Sequence, residues 1–529
     1  MTRRVYFILF LLGLLINGIV ASFQHLPGYI DADYYFVGGM RLVQGKGFAE
    51  PFLWNYIDDP AGLPHPAFGY WMPLASFVAA LGMLLTGQTA YAAGRLGFIL
   101  IAACIPPLTA ALAYKITDNP LLSKLSGTLA VFSFFYAPFL PVPDNYGIFM
   151  ALGAIFLLLA PRPEKWIPFG LGIISGLMTL SRSDGLLWLG LGGLVVFWKS
   201  RTDSRQRFPM LLKSMASPAA LLLLGYLVIM SPWYYRNWNT FGSLMAPGSL
   251  NLLWLQDYSD IFAYPFSRNS FQSFLSAGWQ AALRDRLEAL RLNALNFVFL
   301  QNGVVLIPFI AAGLWHFRRD VRLRLAITGW LLLFFIMTFI FPFAGLRGSF
   351  FHASSAFQPI WWAMAPVGLS MIFIPWRRKG NFDENYHLIA QGVLVALALI
   401  ITSYLVYSRV VERGWPRDDH MYAAVNRILI ANDIQQDDVA IVRNPPGYYL
   451  ITGRPAVMVP TGGEATLLAV ANKYHARFLV LEETRLYEKY LRIYQNPSVD
   501  PRFIFLGETD DGAKVFRIAD QPSPPPAGP

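Results

Sequence analysis

The chain has 529 residues, of which 55% are hydrophobic, 15% are aromatic and only 14% are charged. A soluble globular protein carries about 25% charged residues, so this composition excludes a soluble enzyme and a disordered chain and indicates a polytopic membrane protein. The single cysteine, Cys104, excludes an intrachain disulfide.

The residues that give the chain its net charge of +10 lie next to the apolar segments. The positive excess comes from four short clusters, each beside a long apolar segment: Arg3 with Arg4, residues 199–213, residues 318–324 and residues 377–379. Cytoplasmic loops show this pattern under the positive-inside rule. The clusters are therefore predicted to lie inside, and no nucleic acid is expected as a partner.

The first apolar segment, from Val5 to about Ala21, follows a basic start. It could be a cleaved signal peptide, but the many apolar runs after it favour an uncleaved first span. Residues 22–70 form a polar loop. Eleven further apolar segments follow: 71–86, 91–114, 122–140, 145–160, 166–180, 185–198, 212–232, 296–316, 325–343, 356–375 and 387–407.

These twelve segments predict a polytopic α-helical membrane protein with about 11–13 transmembrane helices. Several segments are shorter than the ~20 residues of a full span, so the number of spans between residues 71 and 198 stays open, and segment 71–86 is a candidate re-entrant helix. The charge rule places the N-terminus in the cytoplasm and the regions 233–295, 344–355 and everything after 408 outside. We expect a multi-pass protein of the plasma (inner) membrane.

The composition after Tyr407 is that of a soluble domain. Residues 438–442 and 477–481 are predicted strands, with a helix over 464–475 between them, and residues 503–506 and 514–518 flank an Asp-Asp-Gly turn typical of a hairpin. The predicted domains are therefore a transmembrane domain over 1–408, which includes the 22–70 loop, and an extracytoplasmic α/β domain over 409–520. A Pro-rich tail over 521–529 is predicted to be disordered.

The 22–70 loop contains the strongest candidates for chemistry. Asp31 and Asp33 lie shortly after the first span, close to the membrane surface. Carboxylates there can act as a general base or hold a metal ion. Alternatively, they are solvated loop acids or N-caps of a helix that begins at Tyr34.

The motifs of this loop resemble a known family. Asp31-Ala-Asp-Tyr-Tyr35, Gln44-Gly-Lys-Gly47 and His65-Pro-Ala-Phe-Gly-Tyr-Trp71 are similar to motifs of GT-C fold glycosyltransferases of the protein O-mannosyltransferase and lipid A aminoarabinose transferase type. The resemblance implies a GT-C fold, with Asp31 as the base, Tyr35 in the substrate site and His65 in contact with the carrier phosphate. Ala32 replaces the family's glutamate, so a metal site formed by Asp31 and Asp33 is uncertain.

Two downstream motifs resemble further parts of the family pattern. Asp144, in Pro143-Asp-Asn, matches a second outward-facing aspartate, with an N-cap as the alternative. Arg182, in Ser181-Arg-Ser-Asp-Gly185, lies between two short apolar helices. Charged groups at such positions are costly, so Arg182 either contacts a phosphate or pairs with Asp184.

The motif Pro232-Trp-Tyr-Tyr-Arg-Asn237 ends another apolar segment. By resemblance, Arg236 binds phosphate in a bidentate manner and Asn237 orients a sugar hydroxyl; the alternative for Arg236 is a side chain that only reaches the interface. Arg347 and His352 lie in a later outer loop and match a late Arg/His position of the family.

The combined prediction is an inverting membrane glycosyltransferase that moves a sugar from a polyprenyl-phosphate carrier to a lipid, glycan or protein acceptor at the outer face. Asp31, with Asp33 or Asp144, would be the general base. No Gly-x-Gly-x-x-Gly, Walker or zinc pattern is present in the sequence, which argues against a nucleotide-sugar donor. No cofactor is certain; a divalent metal ion stays open. The alternatives are a transporter or flippase for lipid-linked sugars and a non-catalytic binder of them.

Overall fold

The structure is a computed structural model that describes residues 1–202, 208–248, 251–378, 384–415 and 418–519. The Pro-rich tail and parts of the basic clusters at 199–213 and 377–379 lie outside these residues. The α-helices in chain order are α1 Arg3–Ser22, α2 Ile30–Val43, α3 Leu74–Thr86, α4 Tyr91–Gly94, α5 Leu96–Thr117, α6 Pro120–Val131, α7 Tyr146–Leu159, α8 Ile167–Ser181, α9 Leu186–Thr202, α10 Phe208–Phe241, α11 Phe271–Ser276, α12 Gly278–Leu295, α13 Ile307–His316, α14 Val321–Phe335, α15 Pro342–Ala344, α16 Phe350–Ser354, α17 Gln358–Arg378, α18 Glu384–Val406, α19 Asp418–Ala431, α20 Pro445–Thr452, α21 Glu464–Tyr474 and α22 Leu491–Gln495. The strands are β1 Ala49–Glu50, β2 Phe52–Leu53, β3 His65–Pro66, β4 Val439–Val442, β5 Ala456–Met458, β6 Ala476–Leu481, β7 Phe503–Glu508 and β8 Lys514–Ile518.

The chain forms two compact units. The helical unit contains residues 1–25, 70–246 and 280–415. The α/β unit contains residues 26–69 and 247–279 together with the described residues after 415.

The helical membrane architecture predicted from composition is confirmed. Within the described residues, six helices are long and apolar enough to cross a membrane: Arg3–Ser22, Tyr91–Thr117, Pro209–Phe241, Val321–Ile340, Pro342–Phe373 and Asn385–Glu412. Four shorter apolar helices accompany them: α3, α7, α8 and α13. In the most apolar 18 residues of Pro342–Phe373, 83% of the residues are buried. This segment therefore forms the centre of the helical unit.

Two predicted apolar segments are not single helices. Segment 122–140 ends its helix at Val131, where Phe132 leaves helical geometry with ψ of 85° and Phe134 follows with φ of 50°. Segment 296–316 divides into a π-helical turn, Asn296–Gln301, and α13. The backbone between them passes through positive φ at Gly303, which ends the first helix.

The elements predicted for the C-terminal residues are confirmed by the strands and helices of the α/β unit. Its sheet has the order β2-β5-β4-β6-β8-β7. Strands β2, β5, β4 and β6 are parallel neighbours, and the β7–β8 hairpin pairs antiparallel to β6. The crossover helices α20 and α21 connect the parallel strands, as parallel strands require.

The first outer loop contributes an edge strand to this sheet. Phe52 and Leu53 of β2 pair with Ala456 and Val457 of β5, and both loop side chains are fully buried. The sequence prediction placed residues 22–70 with the transmembrane domain. In the structure, residues 26–69 belong to the α/β unit, because this pairing and burial attach them to its sheet.

Glycine permits a close contact between α13 and α17 in the helical unit. A Cβ added at Gly368 of α17 would overlap the Phe309 carbonyl oxygen of α13, and one at Gly313 would lie 2.7 Å from the Met364 carbonyl oxygen. Small residues allow membrane helices to approach in this way. Gly392 of α18, by contrast, has open space around its Cβ position.

We predict that Gly368→Ala destabilises the protein by roughly 1–3 kcal/mol, because it overpacks the α13–α17 contact. The matched control, Gly392→Ala, should be neutral or slightly stabilising, since alanine has the higher helix propensity. Thermal unfolding of both variants in detergent measures the difference. Equal melting temperatures would contradict this packing.

Candidate functional site

Asp31 and Asp33 lie in the first turn of α2. The helix begins at Ile30 and its N-cap is Tyr29, so neither acid is the N-cap that one interpretation of the sequence favoured. Negative side chains in a first turn are stabilised by the helix dipole. Asp33 is buried, and its Oδ2 accepts a hydrogen bond of 2.8 Å from the Asn444 side-chain amide. Asp31 is only half-buried.

Tyr35 is fully buried, and its ring packs edge-to-face against Tyr34, with ring centres 5.7 Å apart. The Tyr34 hydroxyl accepts a hydrogen bond of 3.0 Å from the Phe68 amide. The two tyrosines therefore fix α2 against the end of the first loop. The Tyr35 side chain, which was predicted to contact substrate, is therefore closed to solvent.

His65 lies on β3, where it is the register partner of Glu50 on β1. It is buried, and its Nε2 lies 2.9 Å from the Phe52 carbonyl oxygen. Because a carbonyl only accepts, Nε2 carries the proton. Asp58 lies on the other side of the ring, with its Oδ2 3.9 Å from Nδ1.

Burial lowers the pKa of His65, and the nearby Asp58 carboxylate only partly opposes this effect. Burial also raises the pKa of Asp58, with His65 acting in the opposite direction. A buried neutral imidazole whose proton is directed at a backbone carbonyl differs from the cationic phosphate contact that resemblance implied. The geometry supports a role for His65 in folding the first loop.

In the helical unit, Asp144 and His352 come together beside Tyr146. His352 Nδ1 lies 3.5 Å from Asp144 Oδ1, and its Nε2 lies 2.8 Å from the Tyr146 hydroxyl. Asp144 and His352 are both buried. Helix α7 has Asn145 as its N-cap, and Asp144 Oδ1 accepts a hydrogen bond from the Asn145 amide, so Asp144 precedes the cap position.

Arg182 and Asp184 form an ion pair at the end of α8. Two guanidinium nitrogens of Arg182, Nε and Nη2, donate to Asp184 Oδ2 at 3.1 and 2.7 Å. Each side chain is 13% exposed. This is the mutual pairing that the sequence offered as the alternative to phosphate contact, and it neutralises both charges locally.

Arg236 and Asn237 lie in the last turns of α10. The Arg236 guanidinium packs over the rings of Trp233 and Phe241 at 4.9 and 5.0 Å, and its Nη1 donates to Asn237 Oδ1 at 3.1 Å. Asn237 is buried and its amide donates to the Leu244 carbonyl at 3.1 Å. Asn237 therefore supports Arg236 and the helix end, while the aromatic rings orient the guanidinium.

Arg347 is exposed on the π-helical turn Gly345–Ser349. Gly348 has φ of 120° there, a conformation that favours glycine. The turn connects to α16, which carries His352. Arg347 and His352 thus belong to one short stretch, in which His352 is internal and Arg347 faces outward.

Several contributing residues were not identified from the sequence. Glu50 and Asp58 flank His65, Tyr146 bonds to His352, and Asn444 bonds to Asp33. Asn444 had a detectable signal, since an Asn before Pro-Pro after a predicted strand is typical of a helix N-cap. Glu50 and Asp58 lie in the same loop as His65 and meet it only once that loop is folded. Tyr146 depends on a contact with a distant part of the chain.

No protein-family model matches the sequence, and no curated protein sequence matches it. The fold is nevertheless that of the GT-C membrane glycosyltransferases, as the first-loop motifs implied.

The chain is similar to ArnT from Cupriavidus metallidurans bound to undecaprenyl phosphate, with 13% identity, a TM-score of 0.55 and 98% of each chain covered. It is also similar to the oligosaccharyltransferase AglB from Archaeoglobus fulgidus in complex with an inhibitory peptide and a dolichol-phosphate. There the identity is 11%, the TM-score is 0.52, and the match covers 90% of this chain and 69% of AglB. A structure of the A. fulgidus enzyme with Zn and sulfate matches at 11% identity and a TM-score of 0.53, over 96% of this chain and 72% of the enzyme.

We predict that His65 makes the α/β unit less stable under acid conditions. Its folded pKa lies below the unfolded value of about 6.5, so the unfolded chain binds the proton more readily. Stability should therefore decrease as the pH falls from about 6.5 through the lower folded pKa. The raised pKa of Asp58 acts in the opposite sense, nearer to the acid range of carboxylates.

The comparison is between wild type and His65→Gln, which keeps an N–H donor for the Phe52 carbonyl but does not titrate. Thermal unfolding in detergent between pH 5 and 7.5 should show the melting temperature of wild type falling relative to the variant as the pH decreases. Parallel profiles would mean that His65 is not held neutral by burial.

Proposed function

We propose that this protein is a membrane glycosyltransferase that transfers a sugar from a polyprenyl-phosphate carrier to an acceptor at the outer face of the plasma membrane. The observation that supports this most strongly is the correspondence of fold with ArnT over 98% of both chains. That structure contains undecaprenyl phosphate, and the AglB structure contains a dolichol-phosphate. Both ligands are polyprenyl phosphates.

The proposed reaction is a single inverting displacement. An acceptor hydroxyl or amine attacks the anomeric carbon, the bond from that carbon to the phosphate oxygen breaks, and polyprenyl phosphate leaves. Asp31 takes the acceptor proton. A half-buried carboxylate in the first turn of a helix suits this role, because it remains accessible while the helix fixes its position. Asp33, whose carboxylate is engaged by Asn444, is assigned no proton transfer.

Arg236 is the proposed ligand of the carrier phosphate. A guanidinium presents two parallel donors to phosphate oxygens, and the rings of Trp233 and Phe241 orient it. Arg347, exposed on its turn, is the second proposed cation. Arg182 is excluded from this proposal because Asp184 already neutralises it.

Asp144 and His352 are the proposed ligands of a divalent ion. A buried carboxylate and imidazole 3.5 Å apart offer two donors of the types that zinc binds, and the fold includes a member crystallised with Zn. Such an ion would supply positive charge to the departing phosphate. The chain's own contribution is to hold Asp144 and His352, for which Tyr146 supplies the hydrogen bond.

The proposed orientation follows from the basic clusters. Their loops lie in the cytoplasm under the positive-inside rule, which places the N-terminus inside and the α/β unit outside the plasma membrane. A lipid-carried donor is accessible on that side without a nucleotide sugar. The acceptor, whether a lipid, a glycan or a protein, would meet the donor there.

We predict that Asp31→Asn lowers kcat for transfer by ~10²–10⁴, the usual contribution of a general base, with little change in stability. Purified protein is given radiolabelled polyprenyl-phosphate sugar and membrane extract, and labelled acceptor is counted. Asp437→Asn, which alters an exposed carboxylate of the α/β unit, is the matched control and should retain wild-type activity.

The same transfer assay tests the proposed ion. Transfer is measured after EDTA has been added, and again after Zn²⁺ has been restored.

Full transfer by Asp31→Asn would remove Asp31 as the base. Movement of intact donor across the bilayer without any transfer would instead identify a flippase, and donor binding with neither transfer nor movement would identify a non-catalytic binder.

We predict that Arg236→Gln raises the KM for the donor by roughly 10- to 100-fold, because hydrogen bonds to charged groups contribute ~1.5–3 kcal/mol. Arg236→Lys keeps the charge but loses the planar pair of donors, so its KM should lie between those of wild type and Arg236→Gln. Arg284→Gln, at an exposed position of α12, serves as the control. Unchanged donor KM in both Arg236 variants would show that Arg236 only reaches the membrane interface.

A further inference from the structure

We infer that the C-terminal residues of the α/β unit position the proposed base, and that Asn444 is the positioning residue. This inference rests on the proposed function, because it concerns the helix that carries Asp31. The C-terminal strands and helices then act as a support for the first loop.

Asn444 connects the starts of two helices. Its Oδ1 accepts a hydrogen bond of 3.1 Å from the Gly447 amide and so caps α20. Its Nδ2 donates a hydrogen bond of 2.8 Å to Asp33 Oδ2 in the first turn of α2. One buried amide group thereby fixes the start of α2 relative to the start of α20.

The connection continues into the sheet. The Asn444 backbone amide donates to the Tyr422 hydroxyl at 3.0 Å, and that hydroxyl donates to Glu482 Oε1 at 2.8 Å. Asp33, Asn444, Tyr422 and Glu482 are all more than nine-tenths buried. Buried polar groups joined in this way specify a single arrangement, because each is costly to leave without a partner. The start of α2 is therefore tied to α19, α20 and the end of β6.

Gly447 allows Asp33 and Asn444 to approach each other. A Cβ added at this glycine would lie 2.5 Å from Asn444 Nδ2 and 2.9 Å from Asp33 Oδ2, distances at which neighbouring atoms must shift. Alanine at this position would therefore push the amide and the carboxylate apart, although it leaves both of them chemically intact.

A second contact holds the other end of α2. Arg41 Nη1 donates to the Tyr449 hydroxyl at 3.0 Å, and its Nε donates to the Ala49 carbonyl at 2.7 Å. Tyr449 also belongs to α20. Helix α2 is thus attached to α20 at both ends, and its orientation follows from that of α20.

Asp31 lies in the same turn as Asp33, two residues earlier, so movement of that turn moves the proposed base. A displacement of about 1 Å at a reacting group can reduce the rate ~100-fold. The inference therefore predicts a loss in kcat with little change in the donor KM when the Asp33–Asn444 contact is broken.

The test is a reciprocal exchange of these two side chains. Asn444→Asp alone places a second buried carboxylate against that of Asp33. The two groups repel each other, so kcat per folded molecule should fall by at least 10-fold. Asp33→Asn alone keeps a neutral hydrogen bond and should have a smaller effect. The double variant, Asp33→Asn with Asn444→Asp, restores the amide–carboxylate contact and an aspartate N-cap, so kcat should recover to within about threefold of wild type.

Gly447→Ala provides an independent variant and should also lower kcat. Gln436→Ala is the matched control, because this exposed amide makes a single side-chain bond to the Gly453 carbonyl in the same unit, and it should leave kcat unchanged. Hydrogen–deuterium exchange of residues 30–40 gives a readout that needs no activity: protection should fall in Asn444→Asp and return in the double variant.

The outcomes separate this inference from the proposed function. A loss of folded protein with normal kcat per folded molecule would overturn the positioning role and leave only a structural one. Unchanged kcat and exchange in Asn444→Asp and Gly447→Ala would also overturn it. If Asp31→Asn retains transfer, the proposed base fails, and recovery of exchange protection in the double variant would still show that Asn444 holds α2.

Discussion

The parallel pairing of β2 with β5 is the constraint on which the proposed site depends. It joins residue 52 to residue 456, so a loop that follows the first span becomes the edge of a sheet built from the last part of the chain. Besides this pairing, the helices and strands of residues 22–70 are α2 and the short β1–β3 pair. The buried side chains of Phe52 and Leu53 stabilise the pairing, each by about 1.5–3 kcal/mol.

The polar groups of the two units fall into those that support the fold and those that remain suited to chemistry. His65 Nε2, the Asn237 amide and the Arg182–Asp184 pair make polar contacts within the protein. Asp31 differs because it stays half-buried at the start of a helix. Since a general base must come within hydrogen-bond reach of its substrate, the exposure of a side chain assigns its role more directly than the presence of a charged residue type does.

Composition and hydropathy were sufficient for the helical membrane architecture, and strand and turn signals for the elements of the C-terminal residues, because these signals are local. The GT-C fold was implied only by the resemblance of the first-loop motifs to a known family. The sequence was insufficient for contacts such as Asp33 with Asn444, since nothing local links residues so far apart. Segment 122–140 was predicted as one span because its apolar composition does not reveal that the backbone leaves helical geometry after Val131. His65 was aligned with a family lysine, and only the structure shows that burial lowers the pKa of this imidazole.

Release of free polyprenyl phosphate tests the central claim most directly. Purified protein in liposomes is supplied with a polyprenyl-phosphate sugar labelled in both the sugar and the lipid, together with membrane extract as acceptor. Mass spectrometry then follows the two labels. The proposed function predicts that they separate, with one polyprenyl phosphate released for each labelled acceptor formed. Labels that remain joined while the donor changes leaflet would contradict glycosyl transfer and identify the protein as a carrier of lipid-linked sugar.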